Sequence, residues 1–196
     1  FVFLTAYCVE KAKLNPILKG MIKFLSLLPM AVPGLVLGLG YIFFFNNPHN
    51  PLHFLYQSMA ILVICTIAHF FTTSYITALT TLKQIDSEFD DVAESMGIPF
   101  YKTFFKVTIP IAIPSILEIM RYFFVNAMTT VSALVFLYSP QTSLASVAVL
   151  NMDDAGDISS AAAMSTLIVI TSIGVTLLFN VFSFLTLKSS QKWRQR

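Results

Sequence analysis

An all-α, polytopic membrane helix bundle is the fold class this sequence predicts, and three observations predict it. Hydrophobic residues make up 56% of the 196 residues and charged residues only 11%, where about 25% charged is ordinary for a soluble domain. The mean hydropathy is +0.77. Phe alone occurs 19 times, whereas a disordered chain is polar and poor in aromatics. These totals exclude an ordinary soluble globule and a disordered tail. The formal net charge of +2 is too small to point to nucleic acid, so no nucleic-acid partner is expected.

A helix needs ~20 apolar residues to cross ~30 Å of hydrocarbon. The opening run FVFLTAYCV is too short for that. It reads as the tail of a helix that starts outside this chain, which makes residues 1–196 a piece of something longer. Four stretches then qualify as spans. Phe24 to Phe45 and Leu52 to Leu82 carry no charge, and the second is long enough to tilt. Ile111 to Tyr138 carries only Glu118 and Arg121, and Ile158 to Leu187 carries none. The expectation is four full spans plus the end of a fifth. None of them alternates in the manner of a membrane barrel strand.

Proline and glycine punctuate the second helix. Pro29 and Pro33 should kink it or interrupt its hydrogen bonding. Gly34 and Gly38 have the small-xxx-small spacing that lets helices approach closely in lipid. Cys8 and Cys65 lie in apolar stretches and read as small buried hydrophobes.

Orientation follows from the basic residues. Lys11, Lys13, Lys19 and Lys23 lie between the first two helices, and Lys83, Lys102 and Lys106 between the third and fourth. Lys188, Lys192, Arg194 and Arg196 form the tail, which leaves only Arg121 of the twelve inside a span. The loops Asn46 to Pro51 and Ser139 to Asp157 hold no Lys or Arg. The basic segments are therefore expected in the cytoplasm, with the C-terminus.

The most informative segment is QIDSEFDDVAESMGIPFYKTFFKVTIPIAIP, Gln84 to Pro114, polar in an otherwise apolar chain. Asp86, Glu88, Asp90 and Asp91 load the start of a short helix, where the helix dipole favours negative charge. Gly97 stands where a helix stop is expected. Pro99 suits the first turn of a second short helix, which would place Phe100 and Phe104 on one side with Phe105 beside them. Pro110 and Pro114 mark the return to the membrane. The prediction is a helix–turn–helix against the cytoplasmic face.

This segment resembles the EAA loop of permease subunits of ATP-binding-cassette (ABC) importers. That motif places Glu-Ala-Ala three residues before a glycine and ends on I-x-L-P. Here Asp91, Val92 and Ala93 stand at the EAA positions, Gly97 at the glycine, and Val107, Thr108, Ile109 and Pro110 at the terminal element. Asp for Glu and Val for Ala are departures that keep a carboxylate and an apolar surface. The stretches FFVNAMTTVSALVFLYSP and LASVAVLNMDDAGD look like permeases of 2-aminoethylphosphonate uptake, in a branch that also serves ferric iron, thiamine and polyamines.

The resemblance implies a type I ABC importer transmembrane domain over residues 1–196: a truncated subunit, or the C-terminal half of a fused permease. It implies a cytoplasmic coupling loop over 83–110, in which Asp91, Val92, Ala93, Gly97, Ile98 and Pro99 meet a dimer of ATPase subunits. It also implies a second permease core, a periplasmic or extracellular solute-binding protein, lipid around the spans, and a bacterial inner-membrane location. ATP and magnesium would sit on the ATPase, and no cofactor on this chain.

Two ionisable groups inside a span are functional candidates by default. Glu118 and Arg121 are three apart and can pair on one face. With Asn126 and Thr129 they form a candidate translocation path; an internal ion pair locking the bundle is the plainer reading. Asp153, Asp154 and Asp157 read as a solvated loop that contacts the binding protein. His49 and His53 are separated by proline in a way that argues against a shared metal, and His69 reads as packed, so no metal site is expected. No GxxxxGK[ST], GxSxG or HExxH run occurs, and no catalytic residue is assigned. A secondary transporter or channel without an ATPase is the reading from another class: Pro29 and Pro33 suit its broken helices, but the halves show no repeat.

Overall fold

The computed structural model describes residues 1–12 and 14–190, and among them there are helices and turns and no strand. Lys13, Lys192, Arg194 and Arg196, with the side chain of Lys188, lie outside the described residues. In chain order the helices are α1 (Val2–Glu10), α2 (Pro16–Ala31), α3 (Gly34–Phe45), α4 (Met59–His69), α5 (Phe71–Gln84), α6 (Glu88–Ser95), α7 (Phe100–Thr103), α8 (Ile109–Thr129), α9 (Ala145–Asp154) and α10 (Ile158–Ser190).

Among the described residues, two helices are long and apolar enough to cross a membrane, Phe100–Thr129 and Ile158–Thr186. Two bent helix pairs are together long and apolar enough, α2 with α3 at 109° and α4 with α5 at 55°. The expected span Phe24 to Phe45 is therefore interrupted by a sharp bend. Pro33 has no N–H to donate and drives Val32 before it away from helical dihedrals. Pro33 itself sits at φ −58° and ψ 140° and starts α3, while Pro29 is absorbed inside α2. The break at Phe70 has no proline or glycine to announce it.

The chain divides into two compact units. Among the described residues, one comprises those within Phe1–Leu27, Thr72–Tyr122 and 177–190; the other comprises Leu28–Phe71 and Phe123–Thr176. In the second unit Phe45, Ile61, Leu62, Cys65, Ala133, Leu134 and Leu137 form a closed apolar cluster. Ala133 to Leu137 were expected inside the span Ile111 to Tyr138, but α8 stops at Thr129 and the chain continues in turns. Irregular backbone at membrane depth is tolerated where protein covers it. Here the Ser146 hydroxyl donates to the Thr130 carbonyl at 2.7 Å, and α3 comes close to Ser132 and Ala133 at its glycines. A Cβ on Gly38 would lie 2.6 Å from the Ala133 carbonyl oxygen, and one on Gly34 would lie 2.5 Å from Ser132 Oγ. The paired glycines thus serve packing, as their spacing predicts.

The segment 139–157, read from sequence as a loop, contains α9. It ends at Gly156, whose φ of +79° supports a Schellman stop: Gly156 N–H donates to Asp153 and Asp157 N–H to Met152, at 2.9 and 3.0 Å. Asp157 then caps α10 by accepting from the Ser160 N–H at 3.2 Å.

Candidate functional site

The loop over 83–110 belongs to the first unit. Its helix α6 carries Glu88, Asp90 and Asp91 in the first turn, and the Asp86 carboxylate accepts from the Glu88 N–H at 3.0 Å. The helix closes on Gly97. The Gly97 N–H donates to Glu94 at 2.9 Å and the Ile98 N–H to Ala93 at 2.8 Å, with Gly97 at φ +67°. This is again a Schellman stop. It fixes the direction in which the chain leaves the helix, as the glycine in the sequence predicts.

The helix has two faces. Phe89, Val92 and Met96, spaced three and four apart, are 49%, 56% and 70% exposed. Ala93 is buried and Asp90 points inward to an ion pair. Of the residues expected to form one contact surface, Asp91, Val92, Ile98 and Pro99 are outward or accessible, whereas Ala93 faces its own unit. Phe89 and Met96 complete the outward stripe. Their i, i+3, i+7 relation to Val92 was the signal in the sequence that could have found them.

Beyond the turn, Pro99 is the cap of α7 at ψ 141° rather than a residue of its first turn. The second short helix is not separate. It runs through a π segment, Phe104–Thr108, into α8, so that Phe100 to Thr129 is one continuous helix. A π turn inserts one residue and rotates the remainder of the helix about its axis. Phe104, whose N–H still bonds to the Phe100 carbonyl in the α-helical manner, is buried at 6%, while Phe100 and Phe105 are exposed at 62% and 66%, so only one of the three expected aromatic contacts is covered. The Phe104 ring packs on Tyr7 at 4.5 Å and on Phe3 at 6.4 Å between centroids.

On α8, Arg121 lies 3.7 Å from Glu118, the pairing their spacing predicts. The sequence could not show that Arg121 Nη1 also donates to Asn180 Oδ1 on α10 at 3.1 Å. The three groups, with Ser115 and Ser183, line a cleft of about 210 Å³. Asn126 and Thr129 belong to the other unit. Thr129 bonds back to the Val125 carbonyl at 3.1 Å, as a helix threonine does. His53 Nδ1 lies 2.8 Å from the Phe45 carbonyl oxygen and steadies the α3–α4 connection.

Comparisons place this arrangement among known proteins. Residues 3–188 match the family pattern of binding-protein-dependent transport system inner membrane components. The ferric transport system permease protein FbpB of Actinobacillus pleuropneumoniae is 30% identical over 92% of this chain and 26% of its own length. A protein named as a 2-aminoethylphosphonate transport system permease, PhnV of Salmonella paratyphi A, is 30% identical over 80% of this chain and 57% of its own length. The chain thus spans about a quarter of the ferric relative and somewhat over half of the phosphonate one. In three dimensions it matches a crystal structure of a bacterial ABC transporter involved in the import of the acidic polysaccharide alginate. There the TM-score is 0.73 at 13% identity, over 93% of this chain and 71% of that one. The likeness of fold and the match over nearly the whole chain show that this protein belongs to the family of binding-protein-dependent transport system inner membrane components.

Proposed function

We propose that the chain is a membrane-spanning core of an ABC importer, and that it gives a small solute alternating access while a separate ATPase supplies the energy. The observation that carries this reading is α6. It is a short rigid helix, stopped at Gly97, that presents Phe89, Val92 and Met96 to solvent. An apolar stripe on a helix outside the membrane is a docking face for a partner groove. A cytoplasmic ATPase dimer, with its ATP and magnesium, is the partner. A second permease core and an extracytoplasmic solute-binding protein complete the transporter, and the basic loops and the C-terminus face the cytoplasm. The ATPase closes on ATP and favours one of two states of the core, which is all that alternating access requires energetically.

For cargo, the reading is a small phosphonate such as 2-aminoethylphosphonate. The cleft at Glu118, Arg121 and Asn180 offers one cation and one anion 3.7 Å apart. An aminoalkylphosphonate carries the complementary pair of charges. Asn126 and Thr129 lie further along the same helix as path candidates. Ferric iron is the second reading, favoured by the 92% of this chain that aligns with a ferric permease. The test is reconstitution of the full-length permease with its ATPase and binding protein in liposomes. Cargo-stimulated ATP hydrolysis is expected with 2-aminoethylphosphonate, and Val92→Glu or Met96→Glu should abolish it. Stimulation by ferric citrate alone would transfer the assignment to iron; stimulation that survives both charged substitutions would refute the docking face.

A further inference from the structure

The inward face of α6 is gripped by a residue from the far end of the chain's first helix. Lys11 caps the C-terminus of α1, its N–H donating to the Tyr7 carbonyl at 2.8 Å. Its ammonium lies 2.9 Å from Asp90 Oδ2 and donates to the Ile85 carbonyl at 3.2 Å. The side chains of Lys11 and Asp90 are only 11% and 28% exposed. One cation therefore holds three elements together: α1, the chain leaving α5, and the first turn of α6. The other end of the same loop is also held to α1, through Phe104 against Tyr7 and Phe3.

We infer that Lys11 is a positioning residue that carries the displacement of α6 into α1. The inference rests on the coupling reading above and adds the route by which the motion enters the membrane. Between its two attachments the loop has a cleft of about 620 Å³, lined by Tyr7, Lys11, Asp90, Gly97 and Phe100 among others. Packing along α6 is accordingly sparse, and the ion pair is the stiff connection at the end of the loop nearest the acidic turn. Exposed ion pairs are worth little because water screens them and entropy opposes them. This one is largely covered and its ammonium has a second acceptor, so a pull on Asp90 moves the C-terminus of α1. The partner of Asp90 also distinguishes it from Asp91 beside it, which faces outward.

The test uses the reconstituted transporter and reads cargo moved per ATP hydrolysed, alongside the amount of assembled complex. Lys11→Met is expected to lower that ratio about threefold or more, the scale of a lost partly covered pair, while hydrolysis continues. Asp90→Asn keeps the bond to the Ile85 carbonyl and should lower the ratio less. The exchange Lys11→Asp with Asp90→Lys should recover most of what Lys11→Asp alone removes. If Lys11→Met assembles poorly, Asp90→Asn and the exchange decide the matter. An unchanged ratio in Lys11→Met or, where that variant does not assemble, in Asp90→Asn would overturn the strut. So would an exchange no better than Lys11→Asp. A wild-type complex whose hydrolysis ignores cargo would overturn the coupling reading as well, so the two failures are distinguishable.

Discussion

Gly38 and Gly40 sit two residues apart on α3 and differ in what surrounds them. A methyl group on Gly38 would press on the backbone oxygen of Ala133 at 2.6 Å, whereas nothing lies within 4 Å of the same group on Gly40. Backbone cannot swing away as a flexible side chain can, so α3 or the turn segment must move. Gly38→Ala is expected to cost about 1–3 kcal/mol, the usual penalty of overpacking. Gly40→Ala should be neutral or mildly stabilising, because alanine is the better helix former. Thermal unfolding in detergent compares the two, and equal melting temperatures would contradict the close approach. This contrast was half legible: the spacing of Gly34 and Gly38 marks them as a pair. That the backbone nearest to both is the non-helical segment at Ala133 needed the fold.

At the scale of elements, the corner between α9 and α10 is built from two local devices, the Gly156 stop and the Asp157 cap. The hydroxyl and then the N–H of Ser160 hold the Asp157 carboxyl below its ordinary value. A carboxyl whose folded pKa is depressed stabilises the fold above its unfolded pKa, about 3.9. That contribution fades as the pH falls through the lower, folded value. Melting temperature should therefore drop as pH falls below about 4, and Asp157→Asn, which can still cap a helix, should remove this part of the drop. A pH profile identical in wild type and variant would count against the cap. At the same scale, Phe104 is buried against Tyr7 and Phe3 of α1, whereas Phe100 one α-turn earlier stays exposed. Nothing in FYKTFFKV itself signals that α1 covers one of the two and not the other.

At the scale of the whole molecule, the exposed apolar surface is an argument in its own right. In α10 the side chains of Leu167, Ile170, Leu177, Leu178, Phe182 and Phe184 are each more than half exposed. A helix that is apolar on all sides is covered by lipid or by other spans. Placement of the basic loops gives the expected topology. In a Cys8→Ser background, with Cys65 left in place because it is fully buried, single cysteines report sidedness. Asp91→Cys should react with a membrane-impermeant maleimide only after cells are opened, and Asp154→Cys should react in intact cells. Labelling of Asp91→Cys from outside would reverse the topology and remove α6 from any cytoplasmic ATPase.

What the sequence determined by itself is the part governed by composition and by neighbours along the chain. Low charge and long apolar runs call for a membrane location, and Gly97 fixes a helix stop because a positive φ at a helix end is a local demand. Glu118 and Arg121 pair because three residues along a helix is a short distance. Only the tertiary structure decided which distant groups meet. Asn180 reaches Arg121 from 59 residues away, and Lys11 reaches Asp90 from another helix. Such contacts depend on how elements pack, and packing is selected by the summed burial of many side chains rather than by any motif. The polar groups that end up facing one another inherit that arrangement, which no local pattern of residues encodes.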